Sequence, residues 1–316
     1  MTLKSNILTA LEQSRDGAVS GQALAQRFGV SRNAVWKAVT GLRAEGIDIQ
    51  STQNRGYRLA EAYDRATAEG ISALLPETPL TVHAYDEVDS TNTQAKRLLA
   101  AGEAAPFLVV AEGQTTGRGR LGRTFFSPKG AGLYMTLALA PAQAVESALG
   151  VTAYAAVCVA EAVQRVCGRN LRIKWVNDLF LDGRKVCGIL TEATTDVETG
   201  TVESLLIGIG LNLRETDVPD ALQGVLGFLR PDGPVKNLLA AAIAQGLLAY
   251  DPQSQAHLAV YRARSLTLGR RVTAAVLGGA INGMAVDVDD AGALLVQDDA
   301  GTVHAVRSGE VRFADA

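Results

Sequence analysis

The amino-acid sequence predicts an α+β protein of several domains: a small helical head closed by a hairpin, a mixed helix–strand body and an all-β tail. Three observations carry that expectation. Within the first sixty residues the apolar period changes from helical to strand-like. The middle of the chain sets strand-like apolar runs, "PFLVVAEGQ" and "LLIGIGLNLR", on either side of the apolar stretch "VTAYAAVCVA", which reads as a buried helix. Towards the end, turn signals recur at the spacing of short antiparallel strands: Gly278-Gly279, Asp289 to Gly292, Asp298 to Gly301 and Ser308-Gly309. A chain of 316 residues is long enough for two or three such units, each burying its own core.

In the head, Leu3, Ile7, Leu8 and Leu11 share one helical face, and Asp16-Gly17 is expected to end that helix. Ser20 can cap a short second helix, "GQALAQRFG", which buries Leu24 and Phe28 and stops at Gly29. Ser31 can cap a third, "RNAVWKAVTGLRAEG", with Val35, Val39 and Leu42 along one stripe. Arg32, Asn33, Trp36, Lys37 and Thr40 point elsewhere. Two helices joined by a short glycine-containing turn predict a helix-turn-helix. The strand-like "IDIQSTQ", the turn "NRG" and "YRLA" predict a hairpin behind the third helix, the winged variant, with Arg55 and Arg58 at its tip.

Charge is unevenly placed. Residues 1–60 hold eight basic and four acidic side chains, whereas the whole chain has a net charge of −3, so the remainder is acidic. A basic head on an acidic body predicts one polyanion-binding module. Arg32 and Asn33 lie at the end of the third helix that such motifs present to base edges, Trp36 and Lys37 follow them, and Arg55 is placed to reach phosphates. A small helical bundle with a solvated basic face is the alternative reading of these residues.

Composition narrows the rest. Hydrophobic residues make up 47% and charged residues 20%, as in soluble globular proteins, and "VTAYAAVCVA" is only half a membrane span. The N-terminus lacks a long apolar core or cleavage site, so a cytoplasmic protein without membrane contact is expected. Cys158, Cys167 and Cys187 are odd in number and form no C-x-x-C pair, and His83, His257 and His304 are scattered. No protein-ligated metal is expected.

The stretch "GQTTGRGRLGR" contains Gly117-Arg118-Gly119-Arg120-Leu121-Gly122, which spells the dinucleotide fingerprint G-x-G-x-x-G. A strand precedes it, but "RTFFSPKGAGLYMTLALA" follows, with aromatics, a proline and a β-alternating run in place of a helix. A dinucleotide pyrophosphate would have no helix N-terminus to sit on. Arg118, Arg120 and Arg123 instead predict an anion site, since they repel one another unless an anion organises them and their forks suit carboxylate and phosphate oxygens. The glycines, Gly119 among them, let backbone N–H groups approach the same anion. A solvated surface loop is the alternative, opposed by the loop's place between two apolar strands.

Other polar clusters accompany the loop. "DSTNTQAK" follows a strand and opens a helix, so Ser90, Thr91 and Asn92 either hold a small polar head group or cap that helix. "RIKWVNDLFLDGRKVCGILTE" reads as two strands around an Asp182-Gly183 turn, with Lys185 just beyond. Asn177 and Asp178 are poor β formers, which predicts polar partners for both. "LLIGIGLNLR" reaches Asn212.

"DSTN", "GQTTGRGRLGR", "FSPKGAGLYMTL", "KWVNDLFLDGRKVCGILTE" and "IGIGLNL" occur in the order of the biotin–protein ligases (biotin–acetyl-CoA-carboxylase ligases), and the chain resembles that family nearly end to end. The head is similar to that of the bifunctional members, which also act as biotin operon repressors. The resemblance implies a winged helix-turn-helix over residues 1–62, with residues 60–75 as the link. It implies a central α/β domain over 63–266, related to class II aminoacyl-tRNA synthetases and built on a mostly antiparallel sheet. It implies an SH3-like β-barrel over 267–316.

The same resemblance implies a two-step reaction in which biotin and ATP, with Mg2+, give biotinyl-5′-adenylate, and a lysine of the biotin carboxyl carrier protein then takes the biotinyl group. Matched to the family pattern, Arg118 and Arg120 bracket the biotin carboxylate and the adenylate phosphate, with Gly119 between them. Lys185 holds the oxygens between biotin and phosphate. Ser90, Thr91, Asn92 and Gln114 hold the polar atoms of biotin, and Arg123, Asn177 and Asn212 fall where ATP and metal contacts lie. Asp178 is a candidate base for the acceptor lysine. Operator DNA and a ligand-promoted homodimer are the further implied partners. Two positions depart from the pattern: Val176 replaces a common proline, and Phe125 stands where a tryptophan often lies near adenine. A biotin-sensing regulator without ligase activity is the competing reading, opposed by the three loop arginines and Lys185. A winged helix serving only as a structural appendage on a ligase is another.

Overall fold

The structure is a computed structural model that describes residues 2–52, 55–140, 148–195, 202–251, 253–276 and 279–314. The head consists of α1 (Leu3–Glu12), α2 (Gly21–Phe28), α3 (Arg32–Ala44) and the hairpin β1 (Ile49–Thr52) and β2 (Gly56–Leu59). Ser20 and Ser31 cap as expected, their hydroxyls accepting from the Ala23 and Ala34 N–H groups at 3.0 and 3.1 Å. Gly29 ends α2 in the left-handed region at φ 63°. Ile7, Leu11, Leu24, Val35 and Val39 meet in one core.

Two local expectations are corrected. Helix α1 ends at Glu12, a turn before Asp16-Gly17, where Arg15 folds back to donate to the Glu12 carboxylate and the Tyr63 carbonyl, both at 2.9 Å. Arg58 is not at the wing tip; it lies within β2 opposite Gln50, to whose amide oxygen it donates. Arg55 is exposed at the turn, while Gln53 and Asn54 lie outside the described residues.

The link holds its own helix, α4 (Ala68–Ala73), capped by Thr67 and packed between α1 and the later α7 (Lys236–Leu248). The central sheet contains β3 (Thr81–Tyr85), β4 (Phe107–Ala111), β5 (Gly132–Leu139), β6 (Arg172–Lys174), β7 (Asp178–Leu181), β8 (Arg184–Thr195) and β9 (Val202–Asn212). Their spatial order is β3-β4-β5-β9-β8-β7-β6. Only β3 and β4 run parallel, so the sheet is mostly antiparallel.

Helix α5 (Thr91–Ala100) covers one face, with Ala95 packed near Phe107, Val109, Ala138 and Leu206. Helices α6 (Ala148–Cys167), α7 and α8 (Ala256–Arg264) lie in the core of the opposite side. Strand β5 is therefore buried on both faces, which explains its unbroken apolar run and corrects the alternating pattern read from the sequence. The segment predicted as two strands around Asp182-Gly183 forms three, because Trp175 to Asn177 make a turn between β6 and β7. The Asp182-Gly183 turn itself forms with φ 49° and 76°, the conformation that favours this dipeptide in two-residue hairpins. None of the described helices is long and apolar enough to cross a membrane.

The tail is a five-stranded antiparallel sheet of β10 (Arg271–Val276), β11 (Gly279–Val288), β12 (Leu294–Gln297), β13 (Val303–Val306) and β14 (Glu310–Phe313). The order is β13-β12-β11-β10-β14, with no pairing of β13 to β14 among the described residues to close it. The predicted turns fall between these strands, and Asp289 and Asp298 pin two of them by accepting backbone N–H groups. Gly278 lies outside the described residues.

Candidate active site

An open cleft lies on the central sheet, between the start of α5, the loop after β4, the β6–β7 turn and the edge of the tail. Its floor is made where β8 and β9 carry Gly188, Gly208 and Gly210. The glycines are there for space. A side chain at Gly208 would strike the Asn92 amide, and one at Gly210 would strike the Phe125 ring.

At one end sits a buried polar cluster. Ser90 starts α5 without capping it through its own side chain. Gln114 does so instead: its amide oxygen accepts from the Thr91 N–H at 2.8 Å, and its NH2 donates to Ser127 Oγ at 2.8 Å. Asn92 donates to Glu192 Oε2 at 2.8 Å and accepts from Thr136 Oγ1 at 2.6 Å. Thr136 and Glu192 lie on β5 and β8, and neither is singled out by the sequence reading. Their only signal there is a polar residue inside an apolar strand run.

Each loop arginine faces a polar partner within the protein. Arg118 lies 3.3 Å from Glu192 and Arg123 2.6 Å from Glu310 on β14. Arg120 donates to Asn177 Oδ1 at 3.1 Å, and Asn177 in turn donates to the Ile189 carbonyl at 3.0 Å. Burial pulls Arg120 below its ordinary value, against the attraction of Asp178. Lys185 Nζ sits 2.7 Å from Asp178 Oδ1. That carboxylate oxygen is buried, and the ion pair lacks hydrogen-bond alignment, so Oδ1 still has acceptor capacity. Glu192 is held below the usual carboxylate value: burial works the other way, but hydrogen bonds from Lys96 and Asn92 outweigh it.

The fold thus brings Ser90, Thr91, Asn92, Gln114, Arg118, Gly119, Arg120, Arg123, Asn177 and Lys185 onto one cleft. Asn212 is not among the lining residues. It is buried, pairs with Gly132 through its backbone and points its amide at the Gly227 carbonyl, 3.3 Å away. Phe125 lies over Gly188 and Gly210, with Lys185 Nζ 6.0 Å from its ring centroid. Lys174 and Glu310 also line the cleft. Lys174 opens the quoted "KWVND" stretch, in which the sequence reading draws on Val176, Asn177 and Asp178, and Glu310 comes from the distant tail.

Five cationic side chains and two carboxylates line this cleft, so it suits small anions that carry several charges. The head presents a second polar surface. Arg32, Asn33, Trp36 and Lys37 are all exposed on the outer face of α3, with Trp36 54% accessible.

Comparison with known proteins agrees with both ends. Residues 4–58 match the HTH domain family, residues 85–212 the biotin/lipoate A/B protein ligase family, and residues 267–313 the biotin protein ligase C-terminal domain. The chain is 31% identical over 312 residues to the bifunctional ligase/repressor BirA of Bacillus subtilis, covering 95% of each. It is 31% identical over 308 residues to the protein of the same name from Escherichia coli, covering 94% of this chain and 93% of that one. The biotin protein ligase from Aquifex aeolicus, solved in complex with biotin and ATP, superposes with a TM-score of 0.63 at 26% identity over 74% of this chain and 99% of that one. With the similarity running through head, cleft and tail in the same order, the chain belongs to the biotin protein ligase family.

Proposed function

We propose that this protein is an ATP-dependent biotin–protein ligase that doubles as a biotin-responsive transcriptional repressor, with the biotin carboxyl carrier protein as acceptor. The observation that carries the reading is the cleft, where a buried polar cluster and a row of cations share one floor. Joining a carboxylate to a triphosphate requires two anions to approach, and fixed cations offset that repulsion. Residues 1–62, 63–266 and 267–316 are our assignment of the three domains. The central one is read as related to class II aminoacyl-tRNA synthetases, and the tail as the SH3-like unit, supported by the register shift that bends β11 near Ala285.

In the first step, a biotin carboxylate oxygen bonds to the α-phosphorus and pyrophosphate leaves. Ser90, Thr91, Asn92 and Gln114 hold the polar ring atoms of biotin, and Glu192 and Thr136 keep the Asn92 amide oriented. Arg118 exchanges Glu192 for the carboxylate, Gly119 lets the backbone close in, and Arg120 and Lys185 meet the α-phosphate. Arg123 and Asn177 serve the nucleotide. Asn212 supports that end indirectly, through Gly132 and Gly227.

Magnesium supplies charge neutralisation on the triphosphate, and such ions take one or two carboxylates beside phosphate oxygens. Asp178, whose Oδ1 retains acceptor capacity, fits that role in the first step. In the second step, the acceptor lysine's nitrogen bonds to the biotinyl carbonyl carbon, AMP leaves, and the nitrogen gives up a proton. Asp178 Oδ1 is the acceptor we assign to it. No side chain of this protein needs to become covalently attached; positioning suffices.

The repressor role is read from the exposed face of α3, with Arg32, Asn33, Trp36 and Lys37 toward base edges and Arg55 toward phosphates. A two-half-site operator would be gripped by a homodimer that the adenylate favours. The test is direct. Folded protein with biotin, ATP, Mg2+ and a carrier domain should yield biotinyl-adenylate and a biotinylated lysine by mass spectrometry. Arg118→Ala should release free adenylate. Absence of both products refutes the ligase reading, and absence of salt-dependent operator retardation with adenylate present refutes the repressor reading.

A further inference from the structure

One cation of the cleft has no oxygen partner among the described residues. Arg118, Arg120, Arg123 and Lys185 each face a carboxylate or amide oxygen. Lys174 lines the same cleft at the end of β6, yet among the described residues its ammonium makes neither a hydrogen bond nor an ion pair. Its cross-strand partner is Asp178, which is engaged by Lys185 at 2.7 Å. The other carboxylate at that end, Glu310, is engaged by Arg123 at 2.6 Å and Arg312 at 3.5 Å.

The Lys174 ammonium lies instead 5.2 Å from the centroid of the Phe313 ring, on β14 of the tail. Arg270 rests against that ring, 3.6 Å from its centroid. The aromatic ring attracts the ammonium without neutralising it. Burial pulls Lys174 below its ordinary value, despite the fields of Asp178 and Glu310. The cost of a partly desolvated, unpaired charge falls when an anion arrives. The sheet also sets the order of the cations. Lys185 stands on β8, Asp178 on β7 and Lys174 on β6, so Lys174 lies two strands outward from the residue assigned to the α-phosphate.

We propose that Lys174, backed by Phe313, is the contact for the departing half of the nucleotide, binding the β- and γ-phosphate oxygens and then inorganic pyrophosphate. The proposal rests on the ligase reading. In the step it serves, the bond from the α-phosphorus to the bridging oxygen breaks and its electron pair goes to pyrophosphate. A cation already present at that end meets the charge as it develops. Pyrophosphate then leaves along the tail side of the cleft, away from the buried end where the polar ring atoms of biotin are held.

Lys174→Met and Lys174→Arg test it, with Phe313→Leu as a variant that keeps the charge and loses the backing. Losing one charge-assisted contact should raise KM for ATP and weaken inhibition by pyrophosphate about tenfold to hundredfold. Biotin affinity, and carrier labelling from supplied biotinyl-adenylate, should stay within about twofold, since neither uses the β,γ end. Lys174→Arg should recover most of the loss, and Phe313→Leu should fall between.

Equal pyrophosphate inhibition of wild type and Lys174→Met overturns the proposal and leaves the ligase reading standing. So does a loss in the supplied-adenylate reaction as large as that with ATP, which marks a structural role. Wild type that makes no adenylate overturns the ligase reading. Calorimetric binding of inorganic pyrophosphate to the same proteins then decides the anion site by itself: a loss in Lys174→Met upholds it, and no difference ends it.

Discussion

Replacing Lys236 by Met should destabilise the protein by about 3–5 kcal/mol, because it strands a carboxylate in the core. Lys236 and Glu112 are 1% and 5% exposed at the side chain, with Nζ 2.7 Å from Oε2. Lys236 also donates to the Gly130 carbonyl at 3.3 Å, and Glu112 Oε1 accepts from the Ala66 N–H at 2.8 Å. The pair thus joins the link, the end of β4 and the start of α7. A second substitution, Glu112→Met, removes the stranded charge. The remaining cost should then shrink to that of an unanswered Ala66 N–H, about 1–3 kcal/mol for a buried group. Urea unfolding followed at Trp175, which is 4% exposed, reads the central unit in a Trp36→Phe background. A single variant within about 1 kcal/mol of wild type, or a double variant less stable than the single one, refutes the reasoning.

Two further outcomes are expected. Gly208→Ala should cost about tenfold or more in biotin affinity by calorimetry, because the added methyl strikes the Asn92 amide, and unchanged affinity would show that Asn92 does not position the ligand. Glu192 is held below its ordinary carboxylate value of 4.5. Its contribution is therefore present above the unfolded-state value and is lost as pH falls through the lower folded-state one. Glu192→Gln should be less stable than wild type at neutral pH, with the gap closing below 4.5 in thermal melts. A gap that stays constant through that range contradicts the linkage.

Much of the site was legible because its marks are local. Glycines and arginines alternate within one short loop, a helix opens on Ser-Thr-Asn, and an Asp-Gly turn delivers Lys185. Such features depend on residues a few positions apart, and they keep their meaning before any tertiary contact exists. Asn177 is a clear instance. Its poor fit to a strand predicted a polar partner, and the fold supplies two, Arg120 and the Ile189 carbonyl. Asn212 is the counter-instance. The resemblance implies an ATP contact there, whereas the fold turns its amide toward the Gly227 carbonyl, outside the lining of the cleft.

The sequence by itself determined the order of head, body and tail, the caps and turns, the basic face of α3 and the cation-rich loop, since all of these follow from backbone preference and apolar period over short spans. Only the tertiary structure decided which carboxylate answers which cation. Glu192 meets Asn92 across 100 positions, Lys236 meets Glu112 across 124, and Glu310 reaches Arg123 across 187. Charge attraction has no preferred sequence distance, so these pairings wait on which strands the sheet sets side by side. The same holds for Lys174, whose ammonium meets the Phe313 ring of the tail and, among the described residues, no carboxylate within ion-pair distance.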